Sequence, residues 1–439
     1  MAHLDRSRIN PYVLYLCLSV GMAFLTTVAF TTSVVYYVKS AGLDPFQLLV
    51  LGTVLEAVYF VLQLPTGLLA DLTSRRRCVV LGVLAYAGGL LLQGASPSFV
   101  SLLLAQAVLA LGAALMSGAM ETWAAEEIPE SEMASVYLRA TRLSFLGVIV
   151  GSLLSGVVAM ISLSAPMLFS GVLMAVGGLA LALLMPEKQS RRREGGAASD
   201  VKEALRRTRQ DVCEQIRASR QAGRLVPGLL LLFWVTFFIG LWSESFDRLS
   251  GAFLLKDISF PHVLGLQPAM WLSVIGCVTA VMGIGVTKWA ERRTERLGSE
   301  AIVGMLVLFT VVTAVGVVAM SLSDTFVLAV LFLLVVSAVR PLYGPVINGW
   351  LVVRVDPGVR ATALSAQGMF DSGGQIVGGP LVGAVGSVAS IRAALMAGAA
   401  VLVPAVLLLL GLARKAKAAI VDASPTEAPL VPAETAERG

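Results

Sequence analysis

Residues 65–77 read PTGLLADLTSRRR, a short polar interruption with one carboxylate and three consecutive arginines, set between two long apolar runs. The surrounding chain decides how it is read. Of 439 residues, 57% are hydrophobic and 14% charged, and the mean hydropathy is +0.83. That composition excludes an ordinary soluble domain. A bilayer core about 30 Å thick takes about 20 apolar residues as a helix, and runs of that length recur along the whole sequence. The chain reads as a polytopic membrane protein, and 65–77 as a tight loop between two spans.

Twelve spans are expected near 12–38, 46–70, 78–95, 99–124, 137–162, 166–185, 228–255, 268–287, 300–321, 325–353, 362–386 and 393–412. The first run is too long for a secretory core and is expected to stay as the first span. The fold class is therefore all-α, with twelve transmembrane helices in two six-helix pseudo-repeat bundles. The bundles are placed at 1–185 and 228–413, a cytoplasmic linker at 186–227 and a disordered tail at 414–439. The linker carries Val201, Leu205, Thr208, Val212 and Ile216 at helical spacing among basic residues, which suits either an amphipathic helix on the inner leaflet or a solvated connection. Cys17, Cys78, Cys213 and Cys277 are scattered and form no metal-binding or disulfide pattern.

Basic residues are retained on the cytoplasmic side of a membrane. Of 33 Lys and Arg, 28 fall on one set of alternate loops and termini, while the other set holds only Lys39, Lys256 and Arg392. Both termini are expected in the cytoplasm, with the protein in the cell membrane. The sequence pI of 9.1 follows from these loops and does not point to nucleic acid.

The halves carry related signals. Ala70 and Asp71 precede Arg75–Arg77 after the second span, and Ala290 and Glu291 precede Arg292 and Arg293 after the eighth. Trp123 and Trp350 close the fourth and tenth spans at an offset of 227. RATRLS at 139 and RATALS at 360 match at 221, which conflicts with the offset of 228 aligning the glycine motifs that follow, so one of those two matches is chance.

GLLADLTSRRR resembles the loop motif of the major facilitator superfamily, GxLADRxGRR. Gly67, Leu69, Ala70, Asp71, Arg75 and Arg76 match, while Leu72 and Ser74 replace an arginine and a glycine. The resemblance, extended by the span count and the linker, implies a transporter. It also implies that Gly67, Asp71, Arg75 and Arg76 form a gating motif with Glu126 or Glu127 as acidic partners. On the residues themselves, Arg75–Arg77 oppose the dipole of the following helix, so they serve topology, whereas Gly67 permits close helix approach. In the fifth span Gly147, Gly151 and Gly156 match the family's antiporter pattern GxxxGPxxGG, with Ser152 and Ser155 in place of proline and glycine. The same positions make a small-residue stripe suited to plain packing. Gln106 stands where many proton-coupled relatives have an arginine.

Charges inside the spans are the sharper clue, because each costs about 2.5–3.5 kcal/mol at a helix centre. Glu56, Glu244, Asp247, Arg248, Arg340 and Asp371 lie at mid-depth and Glu121 nearer the inner interface. Four mid-depth carboxylates face two arginines, which calls for protons or a cationic substrate. Glu244 and Arg248 are spaced to pair on one helix. Tyr15, Ser19, Thr26, Ser33 and Tyr37 share one face of span one, and Gln367, Asp371 and Gln375 one face of span eleven, as if lining a wet path. Trp234, Phe237, Phe238 and Trp242 suit either a lipophilic pocket or packing. Arg340–Pro341 with Gly344 and Pro345 marks a broken tenth helix.

No phosphate-binding loop or HExxH occurs, and His3 and His262 lie outside the spans, so ATP hydrolysis, metal and cofactor chemistry are not expected. The expected function is a monomeric, non-enzymatic secondary transporter of the drug–proton antiporter kind. It would export small lipophilic or cationic compounds in exchange for protons, with the lipid bilayer as its surroundings. An uptake permease or proton symporter on the same fold is the alternative.

Overall fold

The computed structural model describes residues 10–186, 228–263, 265–294, 299–355 and 357–423, and they form twelve long helices with no strand among them. The expected linker helix within 186–227 and the tail beyond 423 lie outside the described residues. In chain order the helices are α1 (Pro11–Ser40), α2 (Pro45–Leu72), α3 (Arg75–Ala95), α4 (Phe99–Glu127), α5 (Glu130–Ala159) and α6 (Ala165–Leu184). After the linker come α7 (Leu229–Asp257), α8 (Pro268–Thr294), α9 (Ser299–Ser321), α10 (Phe326–Arg354), α11 (Pro357–Val388) and α12 (Ile391–Ala423). Eleven of them contain a stretch long and apolar enough to cross a membrane unaided. The exception, α11, is long enough but carries Gln367, Asp371, Gln375 and several glycines. The expected end of the last span at 412 falls inside α12, which runs on through Arg414 to Ala423, so residues 414–423 of the expected disordered tail are helical.

The short polar turns start the helices. Asn10, Asp44, Ser74 and Ser98 each accept a hydrogen bond from a first-turn amide, and Asp44 and Gln47 form a reciprocal capping box. Ser74 is the position where the loop motif usually has glycine. Its Oγ accepts from the Arg77 amide at 3.1 Å in an extended conformation, so the substitution supplies a cap that glycine lacks. Three helices are interrupted, α1 at Thr32 ahead of a π-helical turn over Tyr36–Ser40. In α4 the break is at Ser117–Gly118, where Gly118 takes φ +73°; in α10 it is a single 3-10 turn at Arg340–Leu342, because Pro341 has no amide hydrogen to continue the ladder.

Equivalent helices pack in equivalent ways: α1 on α5 and α3 on α6 in the first bundle, α7 on α11 and α9 on α12 in the second. Glycines set the first pair of contacts. A Cβ on Gly151 would stand 2.8 Å from Phe24 O of α1, and one on Gly378 2.9 Å from Leu241 Cα of α7. Gly147 and Gly374 sit one turn earlier in the same roles. This equivalence has the tryptophan offset of 227, close to that of the glycine motifs, so the RATRLS–RATALS match is the fortuitous one. Ser155 continues the α5 stripe by hydrogen bonding to Val28 O and Thr32 of α1. The outward side of α5, with Val150, Leu153 and Val157, is exposed as a lipid-facing surface.

The bundles meet along α2–α11 and α5–α8. Among the described residues, the close approaches between bundles lie toward the face opposite Arg75–Arg77. There Gly383 meets Phe46, Gly379 meets Thr53, Gly156 meets Met270 and Gly251 meets Val34. Ser387 Oγ donates to Asp44 Oδ1 at 3.3 Å, Phe46 N to Ser387 Oγ at 3.2 Å, and Lys256 Nζ to Leu43 O at 3.3 Å. Toward the arginine face, Gln63 and Leu69 of α2 are exposed and a Cβ on Gly67 would meet nothing within 4 Å. The expected close approach at Gly67 is therefore not made in this state, and the described approaches of α2 to α11 lie toward their other ends. Among the described residues the molecule is closed on one face and open toward the arginine turn.

Gly378→Ala should lower the thermal unfolding temperature of the detergent-purified protein by an amount corresponding to about 1–3 kcal/mol, the cost of overpacking. Gly177→Ala, where the added methyl meets open space, should not lower it.

Candidate functional site

Helix α7 carries Glu244, Asp247 and Arg248 within about one turn, and they enter two separate ion pairs. Glu244 Oε1 accepts from Arg248 Nε at 3.0 Å, the pairing expected from their spacing, and the two side chains are 5% and 21% exposed. The pair presses on α2 at Gly52, where a Cβ would overlap Glu244 Oε1. Asp247 forms a two-pronged ion pair with Arg340, whose guanidinium is aimed across from the 3-10 break in α10. The break thus positions a cation against the middle of α7.

The other two mid-depth carboxylates have no arginine ion pair among the described residues. Asp371 accepts from Gln375 Nε2 at 2.9 Å, one turn along α11. Its backbone carbonyl lies against Gly240 of α7. Glu56, on α2, lies in the electrostatic field of Glu244, Asp247, Arg248 and Asp371. Helices α2, α7, α10 and α11 therefore bring all six charges into one region at the junction of the bundles. Two arginines neutralise Glu244 and Asp247, leaving Glu56 and Asp371.

A neutral network adjoins this region from the first bundle. Gln106 Nε2 donates to Gln93 Oε1 at 2.9 Å and to the Tyr37 hydroxyl at 3.4 Å, and the Tyr36 hydroxyl donates to Gln93 O at 3.1 Å. Tyr37 in turn lies within electrostatic range of Arg248. Gln106, noted in the sequence for the arginine it replaces, is a fully buried member of this amide–phenol cluster. Gln93 and Gly52 were missed. An isolated glutamine inside apolar span three was the available signal for Gln93, whereas nothing local marks Gly52.

The remaining expected residues separate by position. Thr26 spends its hydroxyl on its own helix, donating to Met22 O at 2.6 Å, and so adds no free polar group to a path. Trp242 is 0% exposed and its ring lies 5.5 Å from that of Phe246, which makes it a core residue and not a pocket wall. Its neighbours Trp234, Phe237 and Phe238 instead join Phe370 of α11 in an aromatic cluster. Tyr15 and Glu121 lie near the arginine face, away from the six-charge region. Around the loop motif, Arg75 pairs with Glu126, the acidic partner implied by the resemblance, and Arg76 Nη2 donates to Ala182 O at 2.6 Å. Both contacts stay within the first bundle. The side chains of Asp71 and Glu291 lie outside the described residues.

Two six-helix membrane bundles carrying charges at their junction are the arrangement of a membrane transporter. The sequence matches the Major Facilitator Superfamily over residues 16–378, and the chain belongs to that family. Its fold is that of the solved nucleoside transporter NupG, with a TM-score of 0.73 at 14% identity, covering 92% of this chain and 99% of that one. A POT family transporter solved with 5-aminolevulinic acid gives 0.70 at 12% identity, covering 94% and 98%. A bacterial homologue of the human lysosomal transporter Spinster, solved in an inward-facing, occupied conformation, gives 0.66 at 15% identity, covering 98% and 100%. No curated protein matches the sequence.

Gly52→Ala should drive a methyl into the Glu244–Arg248 pair and reduce transport at least tenfold while the protein still reaches the membrane, read as substrate flux per unit of inserted protein. Glu244→Gln leaves Arg248 without its counter-charge and should destabilise the protein by about 3–5 kcal/mol, measured by thermal unfolding in detergent.

Proposed function

We propose that the protein is a proton-coupled exporter of small lipophilic or cationic compounds, working as a monomer in the cell membrane by alternating access. Both termini and the Arg75–Arg77 turn lie in the cytoplasm in this reading, in keeping with the distribution of basic residues. The state described above is then open to the cytoplasm. The observation that carries the proposal is the pair of carboxylates, Glu56 and Asp371, with no arginine partner beside two satisfied ion pairs. An uncompensated double negative in a low-dielectric region must take up protons or a cation. If both use the same two groups, binding of one releases the other, which is the requirement for exchange.

The cycle follows from the contacts. A cationic compound enters from the open face and displaces protons from Glu56 and Asp371, its charge taking their place. Closure on the cytoplasmic side requires the hydrogen bonds of Ser387 with Asp44 and Phe46 on the opposite face to break. Protons entering from outside then discharge the compound. A membrane potential supplies about 2.3 kcal/mol per charge per 100 mV, enough to bias such a cycle. The α5 stripe is committed to packing on α1, so it supports the family's architecture more directly than it supports a direction of transport.

In inverted vesicles with an acid interior, adding an exported compound should release protons, and Glu56→Gln and Asp371→Asn should each reduce that release at least tenfold. Proton-driven accumulation of the compound by whole cells would instead establish uptake. Asp71→Asn should weaken transport while leaving expression intact, and unchanged flux would remove Asp71 from the gating mechanism.

A further inference from the structure

The candidate polar residues do not form one site. Tyr15 lies in the second turn of α1, whereas Glu56 is some eleven residues from the opposite end of α2, which at 1.5 Å per residue separates them by roughly 20 Å in depth. Near the arginine face, α1 and α5 border an open cavity of about 290 Å³ lined by Tyr15, Ser19, Tyr137, Thr141 and Ser144 among others. The two tyrosine rings meet edge to face, with centroids 5.6 Å apart and planes at 86°. That contact holds the exposed Tyr137 ring against the buried Tyr15 ring. Glu121, on the terminal piece of α4 beyond the Gly118 break, is exposed and within electrostatic range of both phenols. At the rim, Arg139 places its guanidinium 5.9 Å from the Tyr12 ring and donates to the Tyr12 hydroxyl at 2.7 Å. A cation already lies beside a tyrosine here, and of the two paired rings Tyr137 is the exposed one, with Tyr15 buried behind it.

We propose that this cavity at the open mouth is a second binding site, separate from the six-charge region, and that it takes a small organic ammonium cation. The cation sits against the exposed Tyr137 ring, with Glu121 as distant counter-charge and the Ser19 and Ser144 hydroxyls at its polar end. An aromatic ring and one carboxylate favour a weakly hydrated alkylammonium over a compact metal cation, because the ring repays little of a strongly hydrated ion's lost water. The volume admits a choline-sized molecule. The site rests on the export reading only for its place as first stop on the way in; binding itself requires no direction of transport.

Calorimetric titration of the full-length, detergent-purified protein with choline and with its uncharged isostere 3,3-dimethylbutan-1-ol tests this without any proton gradient. Choline should bind at least tenfold more tightly than the alcohol. Tyr137→Ala should weaken choline binding about tenfold, Tyr137→Phe less than threefold because the π-face remains, and Glu121→Gln about threefold. Equal affinity for the alcohol, an unchanged Kd in Tyr137→Ala, or equal losses in the Ala and Phe variants would overturn the proposal. Should Tyr137→Ala fail to fold, the charge discrimination and the exposed Glu121→Gln variant decide it. Loss of proton release in the Glu56 or Asp371 variants speaks to export alone, so the two readings fail separately.

Discussion

A carboxylate held inside a bilayer must be matched by a cation, a proton or water, and the arrangement of the second bundle is organised around that requirement. Helix α7 carries three charges within about one turn. One is matched along the same helix, Glu244 by Arg248; another, Asp247, is matched only because α10 breaks at Pro341 and aims Arg340 across. The proline break that weakens α10 locally therefore has an electrostatic return. Glu56 and Asp371 lie on α2 and α11, the two helices that face each other across the bundle junction. The unmatched charge is thus placed where the protein must move.

Rigidity and movement are divided between two kinds of contact. Within each bundle, Gly147 and Gly151 bring α5 onto α1, and Gly374 and Gly378 bring α11 onto α7, at backbone contact distance. A helix approach that close fixes rotation and register, so each bundle turns as a body. Between bundles the described hydrogen bonds are few: Ser387 with Asp44 and Phe46, and Lys256 with Leu43 O. The helix with the least membrane-compatible composition, α11, takes part in both kinds, packed on α7 and facing α2. Its glycines and polar residues would be costly against lipid and are sheltered there.

The span count, the repeat, the loop motif and the Glu244–Arg248 pair were legible because each rests on local spacing or composition. Apolar runs of membrane length need no partner to be recognised, and residues four apart on a helix are neighbours wherever that helix packs. Asp247–Arg340 was legible only as two charges of opposite sign, since their separation in sequence gives no pairing rule. Gly52 shows the limit most clearly. Its role is to make room for an ion pair on another helix, and a glycine in a membrane helix has many other uses. Trp242 and Thr26 were left between two readings for a related reason: a face computed from one helix says nothing about whether lipid, core or cavity lies opposite it. Ser74 looked like erosion of a motif and is a helix cap.

The energies on the two sides of the proposed exchange are of the same size. A neutral hydrogen bond contributes about 0.5–1.5 kcal/mol and one to a charged group about 1.5–3 kcal/mol. Opening the closed face breaks a small set of these at Asp44, Ser387 and Lys256, while the glycine-set interfaces inside each bundle are kept. One charge moved through 100 mV supplies about 2.3 kcal/mol. A single proton delivered to Glu56 or Asp371 is therefore comparable to the polar contacts that hold the face shut, and far too small to separate α7 from α11. In the proposed exchange the protein changes state at the contacts a proton can influence and holds its shape at those it cannot.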